Sequence, residues 1–202
     1  MAYNVTLDLP SESVTPGFMD VGIHENVEMI KVEYGVSPNN NNEFIAFYFI
    51  NSEGEKGSHT EWVPKGKDSD DQLKKELNQM SRIKQIVKTF IPAEKFVFSA
   101  NSFKEFAEKT ISILGDSYKG IKIRVKFVYS GKYTSLPKPW KPRFIERMDN
   151  NGYYGEAKSS TSKIKILSID PMTRQGDPIP DVQNPFAATI DAPALKTSEL
   201  PF

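Results

Sequence analysis

From Pro16 to Gly35 apolar and polar positions alternate, with Val27, Met29, Ile30, Val32 and Tyr34 carrying the apolar phases. Frequent β-branched residues go with that period of two, so the segment is expected to be one long strand. The stretch "SPNNNN" breaks the pattern as a turn. "EFIAFYFI" is then a short apolar run expected to be a second strand, buried on both faces or turning aromatics to a ligand. "NSEGEKG" reads as a hairpin turn, and "SHTEWVP" returns as a third strand stopped by Pro64.

The period then changes. Leu73, Leu77, Met80, Ile83, Val87 and Phe90 recur at steps of three and four, which predicts an amphipathic helix. Asp70 and Asp71 suit its positive end, and Pro92 follows its last turn. Ser102 with Glu105 three residues on forms a capping box for a second helix ending at Gly115. After Gly120 the period returns to two. Ile121, Ile123, Val125, Phe127 and Tyr129 share one side of a strand, and Lys122, Arg124 and Lys126 share the other. "GKYTSLPKPWKPRF" is expected to be a proline-spaced loop, and "KIKILSI" a last strand. Six prolines between Pro171 and Pro201, with no sustained period, predict a disordered tail.

The expected organisation is a lead-in over 1–16, a domain over 17–170 with a helical insertion at about 69–115, and a Pro-rich tail over 171–202. Three antiparallel strands, helices, a strand, a long loop and a final strand match a mainly β fold with a helical insertion. The pattern fits a five-stranded OB-fold-like antiparallel barrel. A different β-barrel or an α+β sandwich gives similar signals.

Composition narrows the chemistry. The chain has no cysteine, so there is no thiol nucleophile, disulfide frame or cysteine metal site. His24 and His59 are the only histidines, and neither has a partner at metal-ligand spacing. "DSDD" lacks the glycine and distant glutamate of a calcium loop and reads as helix N-terminal charge. No enzyme activity, cofactor or metal is expected. No basic-then-apolar leader opens "MAYNVTLDLPSESV", and no apolar run suits a membrane helix, so a soluble cytoplasmic protein is expected.

Charge distribution says more than its net value of zero. Between Lys119 and Arg147 nine basic residues face one acid, Glu146, whereas acids dominate beyond Asp170. On a strand, Lys122, Arg124 and Lys126 would form a row with a spacing of about 7 Å, compatible with tracking phosphates. Single-strand binders add aromatic platforms to such a groove. Trp62, Tyr129, Tyr133 and Trp140 are the expected platforms, with Lys132 and Arg143 as further cations. The blander interpretation is a solvated basic face, with Phe47, Phe49 and Phe127 in the core.

At "TPGFMDVGIHENVEMIKVEYG", "GIKIRVKFVY" and the closing "SELPF" the chain resembles phage-encoded single-stranded DNA-binding proteins. The resemblance implies an OB-fold that coats and protects single-stranded DNA in phage replication and recombination, in the host cytoplasm. It also implies that Glu199, Leu200, Pro201 and Phe202 form a tip that docks on a helicase, primase, polymerase or nuclease. The tip of that family is usually a run of acids, and here Glu199 has only Asp191 upstream, with Lys196 between them. The alternative expectation is a non-enzymatic structural protein, such as a virion assembly component with a β-domain.

Overall fold

The structure, a computed structural model, describes residues 17–138 and 142–174. Strand β1 spans Gly22–Val36, β2 Glu43–Ile50 and β3 Lys56–Trp62. Helix α1 covers Ser69–Phe90, a single 3-10 turn Ala93–Lys95, and helix α2 Phe103–Leu114. Strands β4 (Ile123–Ser130), β5 (Tyr133–Ser135) and β6 (Ile145–Arg147) follow. The architecture is mainly β: a six-stranded antiparallel sheet with two helices.

The sheet runs β3-β2-β1-β4-β5, with β6 also paired to β4. β1 divides its length between two partners. Glu28–Val36 pairs with β2, whereas Gly22–Val27 pairs with β4. Register shifts at His24/Val27 and Met29/Lys31, with Asn26 at φ 56°, bend the strand between these duties. The sheet is not closed by backbone pairing among the described residues. Its two end strands nevertheless approach one another, and His59 of β3 lies 2.9 Å from Ser135 Oγ of β5.

The core lies between the curled sheet and the helices. Met29, Phe47, Phe49, Val125 and Phe127 from the strands meet Ile83, Ile86, Val87 and Phe90 of α1 and Ala107 and Leu114 of α2. Asp68 caps α1 by accepting from the Asp71 amide at 2.9 Å. Ser102 caps α2 by accepting from the Glu105 amide, and the Glu105 carboxylate reaches back to the Asn101 amide. The expected capping box therefore forms with its return arm one residue early.

Two expectations are corrected. The apolar stripe of α1 does not bury along its whole length: Leu73, Leu77 and Met80 stay exposed, and its buried apolar residues begin at Ile83. The last strand expected at "KIKILSI" does not form. Residues 162–171 run instead as an irregular strap across β4 and β6, held by side-chain bonds. β5 forms within the segment expected to be loop and β6 directly after it, and both pair with β4. Among the described residues no helix is long and apolar enough to cross a membrane.

Candidate nucleic-acid interface

β4 alternates as the sequence requires, but its basic face is not a free surface. Lys126 is fully buried, with Nζ 2.6 Å from Asp170 and 2.9 Å from the Lys165 carbonyl. Arg124 lies 2.6 Å from the buried Glu146 and 2.9 Å from Glu25. Lys122, one residue before the strand, is paired with Glu28 at 2.5 Å. The strap supplies the cover: Ser162 and the Lys163 amide both donate to Glu146. A buried charge is retained only when paired and hydrogen-bonded, and each member of this row has its carboxylate. The expected exposed row of three is thus corrected: Arg124 and Lys126 are committed to buried carboxylates, and Lys122 is held in an exposed pair with Glu28.

A different concavity collects cations and rings. It encloses about 850 Å³ between residues 17–20, the outward face of β3 and the β4–β5 hairpin. The segment Gly17–Met19 adds to β3 through Met19 N–H to Lys56 O (2.8 Å) and Lys56 N–H to Gly17 O (3.0 Å). Thr134 of β5 donates to the Met19 carbonyl at 3.0 Å. The gap between the two end strands is thereby bridged, and the groove has a floor.

Its rings are free to stack. Phe18 is 82% exposed, Tyr133 79% and Trp62 45%, the last braced at 4.9 Å by Phe44. Trp62 points outward because β3 alternates, with Gly57, His59 and Glu61 turned inward and Ser58, Thr60 and Trp62 turned into the groove. Lys132, Lys138 and Arg174 also line it, and none has a carboxylate at ion-pair distance among the described residues. The single acid, Asp20, already accepts from Tyr129 Oη at 3.0 Å and from the Val21 amide. Arg174 stands 5.6 Å over the Tyr129 ring.

Beneath β3 a buried network holds the wall in place. Glu61 accepts from Arg82 of α1 at 2.5 and 2.7 Å and lies 2.8 Å from His59. Burial by itself pushes the Glu61 carboxyl up. The Arg82 and His59 hydrogen bonds and charges outweigh that and hold it at about 2. Arg82 also donates to the Lys138 carbonyl at 2.9 Å, tying the helix to the chain that carries a groove cation.

Of the expected nucleic-acid residues, the fold brings Trp62, Tyr129, Lys132 and Tyr133 together in this groove. Lys122, Arg124 and Lys126 lie elsewhere. Arg143 is also away from it, paired with Glu156 at 3.2 Å and stacked 3.8 Å over Tyr153. Trp140 and the tip Glu199, Leu200, Pro201 and Phe202 lie outside the described residues. Sequence reasoning did not single out Phe18, Lys138 or Arg174 as site residues, although Lys138 is one of the nine basic residues between Lys119 and Arg147. An aromatic beside glycine in "PGFMD" was the one signal for Phe18. A second cleft of about 670 Å³ between α1 and the segment before α2 is lined by Phe96, Phe98, Phe103 and Phe106, with Glu76 and Lys84 at its edge. That lining is too apolar, and its charge too mixed, for a polyanion. Compared with protein-family models and with curated proteins, the sequence matches neither.

Proposed function

We propose that the chain is a single-stranded DNA-binding protein that stacks bases on Phe18, Trp62 and Tyr133 and meets phosphates with Lys132, Lys138 and Arg174. The observation that carries this reading is the coincidence of exposed rings and carboxylate-free cations in one groove. Bases offer a π-face whatever their identity, so such a surface tolerates any sequence. Duplex is disfavoured because no helix presents these cations to a major groove. The barrel is OB-like in this proposal. Support comes from the strand order, the contact of β3 with β5 that would complete a ring, and helices inserted between β3 and β4. In an OB-fold the face of strands 2 and 3 and the loop between strands 4 and 5 bind oligonucleotides, and β3 and the β4–β5 hairpin line this groove.

The wider role is to coat and protect single strands during phage replication or recombination and to recruit partner enzymes through Glu199–Phe202. The resemblance supports that part. Fluorescent oligo-dT should bind tightly at low salt, weaken steeply as salt rises, and outcompete duplex of equal length. Removing Phe202 should leave that titration unchanged while abolishing capture of a replication enzyme. Absence of oligo-dT binding, or equal preference for duplex, overturns the proposal.

A further inference from the structure

Lys126 asks for a role, since a buried lysine on a strand otherwise filled by Val125, Phe127 and Val128 is an expensive choice. Its ammonium lies 2.6 Å from Asp170 and 2.9 Å from the Lys165 carbonyl. The same Asp170 oxygen accepts from the Leu167 amide at 2.8 Å, and the Asp170 amide donates to the Leu167 carbonyl at 3.0 Å. One residue on, the Pro171 carbonyl accepts from the Tyr129 amide at 2.8 Å. Three residues further, Arg174 stands over the Tyr129 ring at the groove.

An apolar side chain at position 126 would fill the same space but would let the strap settle in several registers along β4. A lysine with one carboxylate and one carbonyl accepts a single register. Accepting the groove as the single-strand site, we propose that the Lys126–Asp170 pair is a positioning device that sets the strap so that Arg174 meets a phosphate. Lys126 touches no DNA. It acts through Asp170, Pro171 and the short link to Arg174. A guanidinium held in place loses less side-chain freedom on binding than one that must be gathered from solution.

The test is fluorescence anisotropy of labelled oligo-dT across a salt series, using the full chain. Each phosphate contact contributes about 0.7 to the slope of log affinity against log salt for a single strand. Arg174→Ala should lower the slope by about that amount. Lys126→Met with Asp170→Asn should lower it equally, and adding Arg174→Ala to that pair should change nothing further. In the same double variant the Tyr129 amide should lose protection from hydrogen exchange. Because changing a buried pair can unfold a protein, a second variant leaves it intact: Met172→Gly with Thr173→Gly loosens only the link, and should also reduce the contribution of Arg174.

A wild-type slope in both engineered pairs while Arg174→Ala loses its share overturns the proposal. So do losses that add in the triple variant. If wild-type protein fails to bind oligo-dT, the groove reading falls and this inference falls with it. If binding is normal and only the coupling is missing, the groove stands and the positioning role does not.

Discussion

Trp62 and Lys122 show how one strand position decides what a residue can do. Trp62 ends β3 on its outward phase and keeps 45% of its surface in solvent. Lys122 is exposed too, yet Glu28 already holds its ammonium, and an exposed ion pair of this type is worth roughly 0–1 kcal/mol. Trp62→Ala should therefore weaken oligo-dT binding by about 1–3 kcal/mol, the usual value of one stacked base. Lys122→Ala should leave affinity and salt slope unchanged. Parallel anisotropy titrations of the two variants check both, and a large loss in Lys122→Ala would return the phosphate track to β4. Gly57 is constrained differently: a Cβ there would come within 2.6 Å of Phe127 Cζ and 2.8 Å of Met19 Cε. The floor of the groove and the core approach too closely at that point for any side chain.

At the scale of elements, α1 is two helices in energetic terms. Up to its middle it shows Leu73, Leu77 and Met80 to solvent, and beyond that it buries Ile83, Ile86 and Val87 completely. Leu→Ala-type truncation in a packed core costs about 2–5 kcal/mol, because lost transfer free energy adds to a residual cavity. Ile86→Ala should fall in that range by urea unfolding. Leu77→Ser should change stability by less than about 0.5 kcal/mol, as a surface substitution does. Equal losses would mean that the first half packs against something as firmly as the second. β1 is divided in the same way. Its two bulges let one strand serve β2 at one end and β4 at the other, and this curls the sheet enough to bring β3 toward β5.

For the whole molecule, Glu61 is where the layers are tied together. It joins β3 to α1 through Arg82, and Arg82 reaches the Lys138 carbonyl, while His59 reaches Ser135 of β5. Its folded carboxyl titrates at about 2, below the ordinary 4.5. A depressed carboxylate adds stability that is fully present above the unfolded value and is lost as pH falls through the folded one. Thermal melts should thus weaken between about pH 4.5 and 2, by on the order of 3 kcal/mol for this group. Glu61→Gln should be less stable than wild type at pH 7, with the gap narrowing toward pH 2. A gap that stays constant across that window would remove Glu61 from the acid transition.

β2, the existence of β1 as one long strand, the cap at Ser102 and the stop at Pro92 were legible in sequence, whereas β1 begins at Gly22 rather than Pro16 and the Asp68 cap was not read. Period, capping chemistry and proline geometry are local, so they can be read from neighbouring residues. The same period put Lys122, Arg124 and Lys126 on one side. Pairing is not local. Asp170 lies 44 residues from Lys126, and Glu146 lies 22 from Arg124. A period of two states that two side chains share a face and nothing about what will cover that face. The sequence by itself determined the elements and their alternation. Tertiary structure decided which cations were spent on internal carboxylates and which were left in the groove, because burial and distance set the cost of a charge.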